Sequence, residues 1–268
     1  PPKANTKDID LLKNYMGYYT DLIAYKFGLS SERKTAELEK GGRNLIRFLY
    51  DGDVFFVDRE ISKLIEAIQR RNPENLLVLT ADHGEELWEH GSVGHTKTAY
   101  RELAHVPMIF SSSKFANKKI DIPVENIDIL PTIADFLKIA PPEGCQGKSL
   151  FPLFSDNTTI NTGAKAVYTS ASGIQPWDKI NWKSVYADGY RLVKDLSANT
   201  VELFNIKDDP NEQNSLTEKE PARVAALQQS LEIQLSENSN HPKRQRTSAK
   251  VELNNEELEA LRALGYVR

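Results

Sequence analysis

Asp82 and His83 stand side by side after a short apolar run, and His95 follows twelve residues on, directly after Gly94. Asp brings hard oxygen donors and His a nitrogen donor. Where a chain leaves strand geometry, adjacent residues can both face one cation. The pair therefore suits Ca2+, Mg2+, Mn2+ or Zn2+, and two ligands alone do not choose among them. Gly84 lets the backbone approach closely or take a positive φ. Gly91 and Gly94 make the following loop pliable, and His95 and Lys97 offer cationic or donor groups to a phosphate or sulfate. A histidine can also serve as a general acid near neutral pH, since its ordinary pKa is about 6.5. Four of the five histidines (His83, His90, His95 and His105) fall within 23 residues, so the chemistry is sought there.

The elements around this segment read as α/β. Apolar positions at helical spacing predict a helix over 8–27 and a long one over 44–71, which Asn72-Pro73 stops. Leu76 to Thr80 is a short continuous apolar run, which suits a strand buried on both faces, as in a parallel sheet. Asp82-His83-Gly84 then lies at its carboxyl end, where open α/β sheets place their ligand sites. Val106 to Phe110 is a second strand, and 126–139 a helix with Pro131 near its start. A polar linker is expected over 156–163. Beyond it come strands at 166–170, 184–187, 190–195 and 201–206, with Asp188-Gly189 as a hairpin turn. A helix is expected at 222–235, a polar mobile run at 236–250 and a short helix at 256–264. The expected organisation is residues 1–155 in an α/β unit and 156–268 in a small antiparallel sheet with helices.

Composition narrows the function classes. The 268 residues hold 34 Lys and Arg against 38 Asp and Glu, a net charge of −4. That balance argues against nucleic acid as a partner and against polybasic docking on anionic lipid. No run reaches the roughly 18 apolar residues of a membrane span, so no transmembrane segment is expected. The single cysteine, Cys145, can form neither an internal disulfide nor a zinc–thiolate site, and reads as a loop or core thiol. His90 reads as a loop residue, His105 as a packing or specificity residue, and His241 as part of a solvated polar run. Trp88 reads equally as a cleft-lining or a buried indole. Asn157-Thr158-Thr159 is a glycosylation sequon in the expected linker.

The stretch Leu76–Ile109 (LLVLTADHGEELWEHGSVGHTKTAYRELAHVPMI) resembles the metal-ligand segment of the sulfatase family, within the alkaline-phosphatase superfamily. Asp128, Pro131 and Thr132 are similar to that family's D-x-x-P-T helix, and Gly147-Lys148-Ser149-Leu150 with Pro152-Leu153 to its G-x-S-L-x-P-L segment. Tyr190 to Val193, Glu202 to Asn205 and Asp209-Pro210-Asn211-Glu212 resemble its C-terminal sheet and D-P-x-E signature, and Leu261 to Val267 a common ending.

The resemblance implies an alkaline-phosphatase-like mixed sheet flanked by helices, present here in part, with a small C-terminal antiparallel α+β subdomain. It implies Asp82 and His83 as ligands of one divalent ion, Ca2+ first. It implies an anion contact at either His95 or Lys97, with His95 the first choice. The implied activity is hydrolysis of small-molecule or glycan sulfate esters. Alternatives are phosphodiester or phosphonate monoester hydrolysis, phosphoglycerol or phosphoethanolamine transfer, and a non-catalytic module that binds sulfated glycans. The family's nucleophile motif, C-x-P-x-R, in which cysteine becomes formylglycine, has no counterpart. Cys145 lies in Cys145-Gln146-Gly147-Lys148, without its Pro or Arg. The first pair of aspartate ligands is also missing. The chain therefore resembles the C-terminal portion of a sulfatase, expected to be inactive alone and to pair with an N-terminal half or a partner chain. The resemblance favours a secreted, periplasmic or lysosomal setting, and the sequence leaves the compartment open.

Overall fold

The computed structural model describes residues 40–91, 93–95, 98–154, 166–172 and 180–240. Several expected features lie outside these residues: the helices at 8–27 and 256–264, the linker at 156–163, the sequon at Asn157, and both Lys97 and His241. The chain divides into two units, Pro1–Leu231 and Glu232–Arg268.

Helix α1 spans Lys40–Arg71 and carries Arg70 and Arg71 in its last turn, where cations favour the helix dipole. The N–H of Asn72 closes the final turn on Ile68, and the Asn72 Oδ1 accepts from the Glu74 N–H, so the chain turns before Pro73 can disturb the helix. Much of the apolar surface of α1 stands in solvent: Phe48 is 63% exposed and Phe55 60%, with Val54, Phe56, Val57 and Leu64 half exposed or more.

Strand β1 (Leu77–Thr80) follows, then the short ladder of β2 (Glu86–Leu87) with β3 (Val93–Gly94), the single helical turn α2 (Arg101–Ala104), and β4 (Met108–Ser111). β1 pairs antiparallel with β4, Leu77 opposite Ser111 and Thr80 opposite Met108. This corrects the expectation of a strand buried on both faces beside parallel neighbours. All four residues of β1 are only part-buried, and the described ladder is two-stranded. A short apolar run has no periodicity from which the direction of its partner could be read.

The 3-10 turn Asn126–Asp128 leads into α3 (Ile129–Phe136) through a capping box between Glu125 and Asp128. The D-x-x-P-T residues are structural here. The buried Asp128 carboxylate accepts the N–H groups of Glu125 and Lys148, and the Thr132 Oγ accepts from the Leu150 N–H. Gly147 is required at this crossing, since a Cβ there would lie 2.0 Å from the Ile127 carbonyl oxygen.

Strands β5 (Val167–Ser172), β6 (Asn181–Ala187), β7 (Tyr190–Asp195) and β8 (Thr200–Asn205) form a four-stranded antiparallel meander in sequence order. Asp188 and Gly189 both take positive φ, 52° and 80°, as a two-residue type I′ hairpin demands. Val185, Leu192, Val193, Leu203 and Phe204 are fully buried, each contributing roughly 1.5–3 kcal/mol by leaving water. Tyr100, from the loop after β3, packs in this core with Val193 and Phe204. The loop carrying the histidines is thus anchored on the sheet. Helix α4 (Pro221–Asn240) runs beyond the expected 222–235. Its Gln234–Asn238 side-chain bond and the Ser239 Oγ bond to the Leu235 carbonyl support the final turns within what was expected to be a mobile run. Among the described residues no helix is long and apolar enough to cross a membrane.

Candidate functional site

Asp82 and His83 leave the carboxyl end of β1. Asn126 steadies that end: its Nδ2 donates to the Ala81 carbonyl at 3.1 Å, and the Thr80 hydroxyl donates to its Oδ1 at 3.4 Å. Asp82 is an open carboxylate, its side chain 81% exposed, with Oδ1 accepting from the His83 N–H at 3.0 Å. Its Oδ2 lies 3.6 Å from His83 Nε2. His83 Nδ1 lies 2.8 Å from the Gly84 carbonyl. A carbonyl only accepts, so Nδ1 donates to it, and Nε2 is the ring nitrogen left on the side of Asp82. A backbone carbonyl on the far nitrogen is the usual partner of a metal-binding histidine. The donor set, one exposed carboxylate beside one imidazole whose far nitrogen is tethered to the backbone, fits a divalent ion held by these two residues and others.

Gly84 holds this arrangement against α2. Its N–H donates to the Leu103 carbonyl at 2.9 Å, and a Cβ at this position would meet the Glu102 carbonyl oxygen at 1.9 Å. His95 lies over His83, ring centroids 4.2 Å apart and planes 16° from parallel. Its Nδ1 is 3.0 Å from Glu85 Oε2. His83, Glu85 and His95 can each bring one ligand atom so that all three lie within 4.8 Å of one another. The structure thus joins Asp82, His83 and His95, while Lys97 lies outside the described residues. Glu85 was missed from sequence, though its place two residues after His83 is a signal once His95 is known to fold back.

His90 is the loop residue read from sequence, in the turn between β2 and β3, and it is also a part-buried anchor. Its Nδ1 lies 2.7 Å from Glu102 Oε1 and its Nε2 2.9 Å from the Glu212 carbonyl. Two acceptors facing two ring nitrogens require both to donate, as in imidazolium. Burial, the largest single influence, opposes that charge. The hydrogen bonds to Glu102 and the Glu212 carbonyl, with the charges of both glutamates, outweigh it and push the pKa up to about 9. The ring also stacks on Tyr100, centroids 3.6 Å apart. Tyr100 donates to Glu202, and burial and this carboxylate hold its phenol well above the ordinary value.

Glu212, the last residue of the D-P-x-E signature, is fully buried and accepts the Arg101 N–H at 2.7 Å. Arg191 donates to the Ala99 carbonyl at 2.5 Å and to the Ser184 hydroxyl at 2.8 Å. Its Nε faces Glu212 Oε1 at 3.3 Å as a buried ion pair that is not a hydrogen bond. Burial pushes the Glu212 carboxyl up, with Arg191 pulling the other way. His90, Tyr100, Arg191 and Glu212 therefore fasten the histidine loop to the sheet. His105 closes α2, its N–H on the Arg101 carbonyl, and burial with the nearby Arg101 and Arg191 charges lowers its pKa. Trp88 is part-buried, takes φ 70°, and lies under the Arg43 guanidinium, 5.4 Å from its ring centroid.

The sulfatase family model matches residues 14–139, and the model for the C-terminal part of N-sulphoglucosamine sulphohydrolase matches 89–241. The chain is 27% identical over 164 residues to the uncharacterized sulfatase YidJ of Escherichia coli, covering 60% of this chain and 32% of that one. Among solved structures it is similar to BT4656, determined with its substrate D-glucosamine-2-N,6-O-disulfate (TM-score 0.65, 23% identity, 85% of this chain and 47% of that one). It also resembles the phosphonate monoester hydrolase of Agrobacterium radiobacter (TM-score 0.63, 18% identity, 78% of this chain and 44% of that one). The chain spans about a third to a half of the length of the relatives it matches.

Proposed function

The chain belongs to the sulfatase family and has its alkaline-phosphatase-like α/β fold, and on that premise we propose that it supplies the metal-holding and anion-facing part of a sulfuric ester hydrolase site. The observation that carries the reading is the Asp82–His83 pair, with His83 Nδ1 tethered to Gly84 and Nε2 turned toward Asp82 Oδ2. These two residues hold one divalent ion, Ca2+ first, with Mg2+, Mn2+ and Zn2+ as alternatives. When bound, that ion would neutralise ester charge and favour the ionised nucleophile.

His95, or Lys97 as the alternative the sequence offers, would supply the contact to the equatorial oxygens of the sulfuryl group. His95 would pass a proton from Nε2 to the leaving oxygen as general acid. Glu85, accepting from Nδ1, orients that ring. His90, Glu102 and Glu212 keep the loop in place.

None of the 268 residues forms C-x-P-x-R. The nucleophile, as formylglycine, and the remaining metal ligands then come from a polypeptide segment outside this sequence, joined to it or held as a partner chain. The exposed apolar surface of α1, including Phe48 and Phe55, suits packing by such a segment, since exposed apolar patches of this kind mark interaction sites.

The test is turnover of an aryl sulfate by the chain alone and by the chain together with a segment carrying C-x-P-x-R. Turnover only in the second case is expected, and turnover by the chain alone contradicts the need for an outside nucleophile. The fold is also similar to that of a phosphonate monoester hydrolase, so an aryl phosphonate ester belongs in the same assay. A higher kcat/KM on that ester would move the substrate class to phosphonates.

A further inference from the structure

The loop after β1 contains two donor sets that overlap at a single residue. Asp82 with His83 offers oxygen and one nitrogen, the set a hard ion accepts. His83, Glu85 and His95 offer two imidazoles and one carboxylate, with ligand atoms all within 4.8 Å of one another. Two nitrogens and one carboxylate oxygen suit zinc and its neighbours, for which affinity far exceeds that for Ca2+ or Mg2+. Ligand atoms about 2.1 Å from zinc in tetrahedral array stand roughly 3.4 Å apart. Closing from 4.8 Å requires only side-chain adjustment. His83 and His95 are 42% and 47% exposed, so neither is held by close packing. The stacked rings place both imidazoles on one side of the loop, and Gly94, beside His95 with φ 98°, gives the backbone its turn.

We infer that His83, Glu85 and His95 form a second metal site, selective for zinc-class ions, that excludes the hard ion of Asp82 and His83 because both sites need the His83 imidazole. Glu85 serves as the third ligand. Occupation withdraws His95 from the anion it faces, so zinc acts as an inhibitor of the hydrolase. That last consequence rests on the function proposed above. The binding itself does not. The other described histidines do not compete. His90 has both ring nitrogens engaged, and His105 lies beside the positive charges of Arg101 and Arg191.

The test uses the 268-residue chain with Co2+ as the spectroscopic substitute for Zn2+, and the same chain joined to a segment carrying C-x-P-x-R for the Ca2+ titration, since Ca2+ needs more ligands than Asp82 and His83 supply. One equivalent of Co2+ should give a visible d–d band, and Zn2+ should abolish it. His95→Ala and Glu85→Gln should each weaken Co2+ binding at least tenfold, with far-UV circular dichroism unchanged. Asp82→Asn and His241→Gln should leave it within about twofold. Ca2+ binding should show the opposite pattern, lost in Asp82→Asn and kept in Glu85→Gln, and saturating Zn2+ should suppress it. Cobalt binding that survives both His95→Ala and Glu85→Gln, or that falls with Asp82→Asn as far as with His95→Ala, overturns the second site. Ca2+ binding indifferent to Asp82→Asn, with cobalt behaving as expected, removes the hard-ion reading and leaves the zinc-class site standing.

Discussion

His90 links the chemistry of the loop to the stability of the fold, and pH is the perturbation that isolates it. The imidazolium is held between Glu102 Oε1 at 2.7 Å and the Glu212 carbonyl at 2.9 Å, and its pKa rises from 6.5 to about 9. A folded-state pKa above the unfolded one means that the stabilisation is complete below pH 6.5 and is lost as pH climbs through 9. At about 1.4 kcal/mol per unit, the difference is worth roughly 3 kcal/mol. The His90 side chain is only 13% exposed, so solvent screens little of this. The assay is urea unfolding followed by far-UV circular dichroism at pH 6 and pH 9.5, on the native sequence and on His90→Gln. Tyr100, whose phenol is raised above its ordinary 10, stays neutral throughout that window. The native chain should lose roughly 3 kcal/mol more than His90→Gln between the two pH values. Equal losses in the two proteins would refute the assignment of a charged, doubly donating His90.

Glu212→Gln leaves the Arg191 guanidinium buried without its counter-charge, and should lower unfolding free energy by about 3 kcal/mol or more in the same urea assay at pH 7. Gly84→Ala drives a Cβ onto the Glu102 carbonyl, and should cost on the order of 3 kcal/mol, read as a lower Tm or loss of soluble protein.

The small sheet was the most legible part of the fold. Asp188-Gly189 names its own turn, because only residues that tolerate positive φ fit a type I′ hairpin, and the flanking Val, Leu and Tyr residues fix the register. β6 begins at Asn181, ahead of the expected 184, because Asn181, Trp182 and Lys183 pair with Ser172, Ala171 and Ser170 across a polar stretch that shows no alternation. The direction of β1 was not legible, since its partner lies beyond the whole histidine loop. Asp82, His83 and His95 could be singled out from residue type and spacing, and the fold brings them together. His90 could not be assigned, because Glu212 is 122 positions away and nothing near His90 announces that its ring is caught between two acceptors. Glu85 escaped notice for a related reason: its partner His95 returns only through the turn at Gly91 and Gly94.

The central claim is that Asp82 holds the ion that serves sulfate ester cleavage. The most direct measurement is kcat/KM on an aryl sulfate, with Ca2+ present, for the chain joined to a C-x-P-x-R segment, comparing the native sequence with Asp82→Asn. Loss of a ligand's outer partner alone costs about 10–100-fold, so removing the ligand charge itself should cost about 100-fold or more, with partial recovery at high Ca2+. An Asp82→Asn enzyme that keeps the native rate and the native Ca2+ dependence would contradict it.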